Sequence, residues 1–190
     1  AIFISKQKNL IKKAILVLFL IVIEYSVINK DFSSTKIPKV YEYLSQQIDN
    51  RAVIEIPSGI TESKEAFGYD WSISALHSQQ MYWQTVYKKP RVGVYMSRLT
   101  PDKYNFFKNE SVISDIFNYS SAGGTKPAHH FRQTEIYDFI QKFNLGYIIL
   151  SPNDRQVEFS EFVETEFVNN IIEKQVLDGF IYYKLLCIHS

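Results

Sequence analysis

The chain has 190 residues, 46% of them hydrophobic and 15% aromatic, which is too much apolar surface for a disordered polymer and enough for one domain with its own core. Seven Gly and six Pro exclude a collagen-like or linker-like chain, and one cysteine, Cys187, excludes an internal disulfide framework and a thiolate cluster for zinc or iron–sulfur. The net charge of +1 is unevenly spread: residues 1–30 hold five Lys against one Glu, which leaves 16 basic and 19 acidic residues after them. A nucleic-acid binder carries its basic excess as a patch on the folded body, so this distribution argues against nucleic acid as a partner.

Ala14 to Ile23 is an uninterrupted apolar run, resumed at Val27 and Ile28 and preceded by Lys6, Lys8, Lys12 and Lys13. As a helix, Ala14 to Ile28 reaches about 22 Å at ~1.5 Å per residue, short of a ~30 Å hydrocarbon core. Starting at Leu10, with Lys12 and Lys13 snorkelling, it comes close to a full span. Three readings compete: a membrane helix, a signal peptide and a buried helix of a soluble domain. The membrane helix fits best, because Tyr25 to Asn29 offers no small-x-small cleavage site. The lysine-rich side is then cytoplasmic and residues from about 31 lie outside the cytoplasm. The first residue is Ala rather than Met, so we expect a piece of a longer protein, with 1–30 as flank and last membrane helix and 31–190 as an extracytoplasmic domain.

After a polar connector, Asn29 to Lys36, Pro38 suits the first turn of a helix with a stripe of Ile37, Val40 or Tyr41, Leu44 and Ile48. Arg51 to Pro57 reads as a strand, Trp71 to Tyr87 as a helix and Arg91 to Met96 as a second short strand. Asn105 to Phe131 carries the weakest pattern, and Ser120 to Pro127 reads as a mobile loop. Thr134 is placed to cap a helix bearing Ile136, Phe139, Ile140 and Phe143, which Asn144 to Gly146 ends before a buried strand, Tyr147 to Leu150. Phe159, Phe162, Val163, Phe167 and Ile171 form a last helical stripe. Gln175 to Leu177, Asp178-Gly179 and Phe180 to Ile188 make a hairpin, since Asp-Gly supplies the positive φ angles of a type I′ turn. Strands alternating with helices predict an α/β fold: a small, mostly parallel sheet with flanking helices and a C-terminal antiparallel hairpin, preceded by one membrane helix.

Catalytic motifs are sparse. The Ser120 to Pro127 loop lacks Walker spacing, and its Lys126 is followed by Pro127. His129 and His130 are adjacent and point apart on any regular element, while His77 and His189 are isolated, so we expect no metal and no cofactor. Gly-x-Ser-x-Gly is absent, and Cys187 reads as a buried structural thiol in the last strand. Asn109-Glu110-Ser111 and Asn118-Tyr119-Ser120 match glycosylation sequons, which matter only in a eukaryotic secretory setting. What remains is a set of polar residues at strand ends, where an open α/β sheet collects ligands. Glu55, Gln84, Ser97 and Arg98 form the expected binding pocket, Arg98 leaving one strand beside the carboxylate that ends its neighbour. The same residues also read as an ion pair and an amide that lock loops onto the sheet.

Several separated blocks occur in order: Ile54-Glu55-Ile56-Pro57, Met81-Tyr82-Trp83-Gln84-Thr85, Lys89-Pro90, Gly93-Val94-Tyr95-Met96-Ser97-Arg98, and Leu145-Gly146-Tyr147-Ile148-Ile149-Leu150. This succession resembles the C-terminal region of bacterial and archaeal polytopic membrane proteins of the GT-C glycosyltransferase type, over roughly residues 10–188. Tyr87-Lys88 stands where the family has His before Lys-Pro, and Val94 replaces the second Gly of Gly-Gly-Tyr. The resemblance implies a transferase using a polyprenyl-phosphate sugar outside the cytoplasm, with its catalytic carboxylate on an early loop that this chain lacks. The expected function is therefore an accessory domain, with the lipid bilayer and a polyprenyl-phosphate sugar or glycan acceptor as partners. The alternative is a single-span envelope protein whose α/β domain is a non-catalytic binding module; a free-standing soluble enzyme has no motif behind it.

Overall fold

The computed structural model describes residues 36–58, 60–61, 66–67, 74–93, 100–121 and 123–187. The apolar run at 14–28 lies outside them, and among the described residues no helix is long and apolar enough to cross a membrane.

The element order is α1 (Lys39–Ser45), β1 (Ala52–Ile56), β2 (Ile60–Thr61), β3 (Ala66–Phe67), α2 (Ser74–Tyr87), β4 (Arg91–Val92), α3 (Pro101–Asn109), α4 (Ser111–Ser120), α5 (Gln133–Lys142), β5 (Leu145–Leu150), α6 (Gln156–Glu166), β6 (Ile171–Leu177) and β7 (Phe180–Leu185). The fold is mixed α/β. Five strands form one sheet in the order β4-β1-β5-β7-β6, and β2 pairs with β3 in a separate antiparallel ribbon. β1 is parallel to both β4 and β5, as the sequence predicts for its first two strands. β7 runs antiparallel to β5, and β6 antiparallel to β7. The predicted turn closes that hairpin: Asp178 has φ 50° and Gly179 has φ 82°.

Because strand side chains alternate, the sheet has two apolar faces and each takes its own helices. One face gathers Val53, Tyr147, Ile149, Phe180 and Tyr182 with Val40, Tyr41 and Leu44 of α1 and Trp83 and Tyr87 of α2. The other gathers Ala52, Ile54, Ile56, Ile148 and Leu150 with α3, α4, α5 and α6 through residues such as Tyr104, Phe117, Phe139 and Phe162. Each such side chain, fully buried, contributes about 1.5–3 kcal/mol. Gly146 explains how β5 serves both faces. The register passes from Ala52↔Leu145 to Val53↔Tyr147, an irregularity that places Leu145 on one face and Tyr147 on the other. A Cβ at Gly146 would stand 2.5 Å from Cβ of Arg51, so no other residue fits there.

Several boundaries differ from the sequence reading. α1 ends at Ser45, so Ile48 leaves the helical stripe and is fully exposed, whereas Val40, Tyr41 and Leu44 are buried as predicted. Thr134 lies inside the first turn of α5 and does not cap it; the cap is Arg132, whose N–H donates to Oε2 of Glu135 at 2.8 Å. α6 stops at Glu166, and Ile171 opens β6 instead of continuing the stripe of Phe159, Phe162 and Val163. Asn105 to Phe131, where the pattern is weak, holds most of α3 and all of α4, meeting at Glu110. Of the second strand, Arg91 and Val92 are described, and Val94 to Met96 lie outside the described residues.

Candidate functional site

Glu55 is the polar residue of β1, and alternation puts it on the face covered by α1 and α2. It is 0% exposed. The hydroxyl of Tyr41, from α1, donates to Oε2 at 3.2 Å, and that of Tyr87, from the end of α2, donates to Oε1 at 2.9 Å. Arg91 pairs with Val53 in the ladder, one strand across and two residues back, so its side chain runs forward to Glu55. Arg91 Nε stands 4.0 Å from Oε1, which is charge attraction without a hydrogen bond. Burial pushes the Glu55 carboxyl above its usual range, against the pull of Arg91 and of the two phenols. Burial and the facing carboxyl together hold Tyr41 and Tyr87 far above the ordinary phenol range, so both remain donors.

Arg91 continues the network towards the carboxyl ends of the strands. Its side chain is 2% exposed although β4 is an edge strand. Nη2 donates to Oε1 of Gln80 at 2.6 Å, Gln80 Nε2 donates to Oγ of Ser151 at 3.2 Å, and the Ser151 N–H donates to the carbonyl of Ile56 at 2.9 Å. Ser58, two residues beyond Ile56, is fully buried. Among the described residues, Arg91 Nε and Nη1, Ser58 Oγ and Trp83 Nε1 find no hydrogen-bond partner. Buried polar groups are almost always answered, and Asn170 Oδ1 and Tyr182 Oη are unanswered elsewhere; what sets this edge apart is that a buried guanidinium is among the unanswered groups.

Of the residues predicted for the site, Glu55 is central. Gln84 is not brought to it: its Nε2 donates to the carbonyl of Lys89 at 3.1 Å, in the turn between α2 and β4. The amide in the Glu55 network is Gln80, one helical turn earlier. Ser97 and Arg98 lie outside the described residues; among the described residues the cation beside Glu55 is Arg91. Arg91, Gln80, Ser58 and Ser151 were missed. The parallel register was the available signal, since a residue opening the strand beside β1 lies within one long side chain of Glu55.

The remaining candidates resolve into structural roles. His130 Nδ1 lies 2.7 Å from Oε1 of buried Glu166, whose other oxygen accepts the Phe131 N–H at 2.9 Å, while His129 lies 3.6 Å from Asp115. The two rings thus address different carboxylates, and among the described residues no three metal-ligating side chains converge. The Ser120 to Pro127 loop, predicted mobile, is tied down by Arg155, which donates to the carbonyls of Tyr119 at 3.0 Å and Gly124 at 2.8 Å. A cavity of about 520 Å³ between this loop and α6 is lined by Arg155, Glu158 and Glu161, so it carries charge of both signs. Cys187 is exposed, not buried: β7 ends at Leu185, opposite Ile171 where the hairpin ladder starts, which leaves Cys187 beyond the sheet.

Compared with known proteins, the chain matches no family model, no curated protein and no solved structure.

Proposed function

We propose that residues 31–190 form an extracytoplasmic accessory domain of a GT-C-type membrane glycosyltransferase, anchored by a helix over about residues 10–28. The domain faces a polyprenyl-phosphate sugar or its glycan acceptor, and the transferring carboxylate belongs to another part of the protein. One observation carries this reading beyond the resemblance itself. The described parts of the blocks that suggest the family, separated by up to about ninety positions, meet in the sheet and in the helix packed on it. Ile54 pairs with Ile148, Glu55 accepts from Tyr87, Lys89 Nζ lies 5.3 Å from the ring centre of Tyr147, and Trp83 packs in the cluster that holds Tyr147 and Ile149.

The test is topological. A reporter active only in the cytoplasm, fused after Ser190, is expected to be silent while the chain is recovered with the membrane fraction. Strong cytoplasmic signal, or recovery in the soluble fraction, overturns the reading.

The alternative, a single-span envelope protein with a binding domain, shares this topology and is favoured by one feature, the unanswered polar groups at the carboxyl edge of the sheet. Turnover of a polyprenyl-phosphate sugar by membranes carrying the intact protein, lost when residues 31–190 are removed, supports the first reading and sinks the second.

A further inference from the structure

We propose that the carboxyl edge of β1 is a binding site for the oxyanion of a small ligand, a carboxylate or a phosphate, held by Arg91 with Ser58. The proposal is independent of the membrane reading, because it rests on the sheet and its buried groups alone.

Topology supplies the first argument. In an open parallel sheet a crevice forms outside the carboxyl ends of neighbouring strands whose following helices lie on opposite faces. β1 is followed by α2 on one face, while its neighbours β4 and β5 are followed by α3 and α6 on the other. β1 is therefore flanked by that reversal on both sides. Ser58 and Ser151 stand just past the ends of β1 and β5.

The unanswered groups supply the second. A guanidinium carries five N–H donors and cannot shed its charge. At Arg91 the Nη2 group is occupied by Gln80, whereas, among the described residues, Nε and Nη1 have no partner, with the side chain 2% exposed. Ser58 Oγ is likewise buried and unanswered. A donor-only cation and a hydroxyl, both short of acceptors, match an oxyanion and match no cation. Gln80, itself bonded to Ser151, accepts from Nη2 and so orients the guanidinium. Glu55 accepts from Tyr41 and Tyr87 and stands 4.0 Å from Arg91 Nε without a hydrogen bond, so it leaves the Nε and Nη1 donors open.

The experiment uses the full chain in detergent micelles, with the Arg91 Nε–H resonance identified by its loss in Arg91→Lys. Sodium phosphate and sodium acetate are titrated separately at ionic strength held constant with chloride. We expect one of them to shift that resonance saturably at millimolar concentration. Phosphate alone points to a phosphorylated ligand, and acetate alone to a carboxylate. Circular dichroism checks that each variant is folded. Arg91→Lys, which keeps the charge and loses the planar donors, is expected to weaken binding about tenfold or more, read on the side-chain amide resonances of Gln80, which lies against Arg91 and is present in every variant. Ser58→Ala, which removes a hydroxyl and little volume, is expected to weaken it several-fold. A shift that never saturates, or that chloride reproduces, overturns the site, as does an unchanged midpoint in both folded variants. If Arg91→Lys fails to fold, the wild-type titration and Ser58→Ala decide on the same terms.

Discussion

The two ends of the parallel strands use the same residue types to opposite effect. At the amino edge Arg51, 7% exposed, donates from Nε and Nη2 to Oδ2 of Asp49 at 3.2 and 3.0 Å and from Nη1 to the carbonyl of Leu185 at 2.8 Å. Tyr147 donates to Asp49 Oδ1 at 2.6 Å, and Lys89 donates to the carbonyls of Gln47 and Asp49. At the carboxyl edge Arg91 is buried as deeply, yet it makes one side-chain hydrogen bond and stands off from its carboxylate. Satisfied charge fixes a fold, and unsatisfied charge implies that something else completes it. On the proposal above, the difference separates a structural end of the sheet from a ligand-binding one.

The largest effect is expected from breaking the satisfied edge. Arg51→Met removes three charge-assisted hydrogen bonds and leaves the carbonyl of Leu185 and the carboxylate of Asp49 short of donors. We expect a loss of about 2–4 kcal/mol, discounted for the partial exposure of Asp49, and a fall in melting temperature on the order of 10 °C. A fall of only a degree or two would mean that this edge is not the brace we describe.

The edges also carry opposite pH signatures. At Asp49 burial pushes the carboxyl up, but the hydrogen bonds from Tyr147 and Arg51 outweigh it and hold it below the usual range. A depressed carboxyl contributes stability above its unfolded pKa that is lost as pH falls through the folded value. Glu55 is raised, so its contribution is fully present below the unfolded pKa and is lost as pH rises through the folded value. Melting curves across pH should therefore gain an acid-side limb from Asp49 that Asp49→Asn flattens. They should also show an opposite slope, at most about 1.4 kcal/mol per pH unit, that Glu55→Gln flattens. The same slope sign for both variants would show that the two carboxyls sit in equivalent environments.

How much of this was readable in advance follows from the range of each interaction. β1, β5, β7, the Asp178-Gly179 turn and the stripes of α5 and α6 are marked by apolar runs or periods over short stretches, and the sequence displays them directly, whereas it does not display β2, β3 or the start of β6. Ile48 and Ile171 extend their stripes on paper, but a helix ends where its backbone partners end, and the side-chain pattern does not record that. Glu55 was legible because a lone carboxylate among Ala52, Val53, Ile54 and Ile56 is anomalous. Its described partners were not, since choosing Gln80 over Gln84, or finding Arg91, depends on the phase of α2 against the sheet and on the β1–β4 register. Cys187 was misplaced for a related reason, because the length of β7 is set by where β6 begins.

A smaller effect separates the two phenols from their carboxyl. Tyr87→Phe keeps the ring, stacked 5.7 Å from Tyr41, and removes the donor to Glu55 Oε1. We expect a loss of about 1–2 kcal/mol near neutral pH, shrinking as the solution is acidified and Glu55 takes up a proton. A loss independent of pH, measured by denaturant unfolding, would mean that the hydroxyl acts through packing and not through the charge on Glu55.

The smallest effect is expected at Arg91, and it sharpens the comparison most. The substitution is the one used at Arg51, arginine to methionine, at a side chain 2% exposed against 9% there. Its guanidinium is desolvated, at a cost of several kcal/mol, and against that cost stand one hydrogen bond to Gln80 and an attraction to Glu55 across 4.0 Å. Methionine fills the same channel with an unbranched chain and brings no unanswered donor. Glu55 loses its counter-charge but keeps the hydroxyls of Tyr41 and Tyr87, and it can take up a proton instead of remaining ionised. These terms nearly cancel, so Arg91→Met is expected to change stability by less than about 1 kcal/mol, a shift on the order of 2–3 °C, in either direction. The variant should still lose the oxyanion response entirely. A fall in melting temperature as large as that of Arg51→Met would make the two edges energetically alike, and Arg91 would then be a brace of the fold with no unmet demand for a ligand.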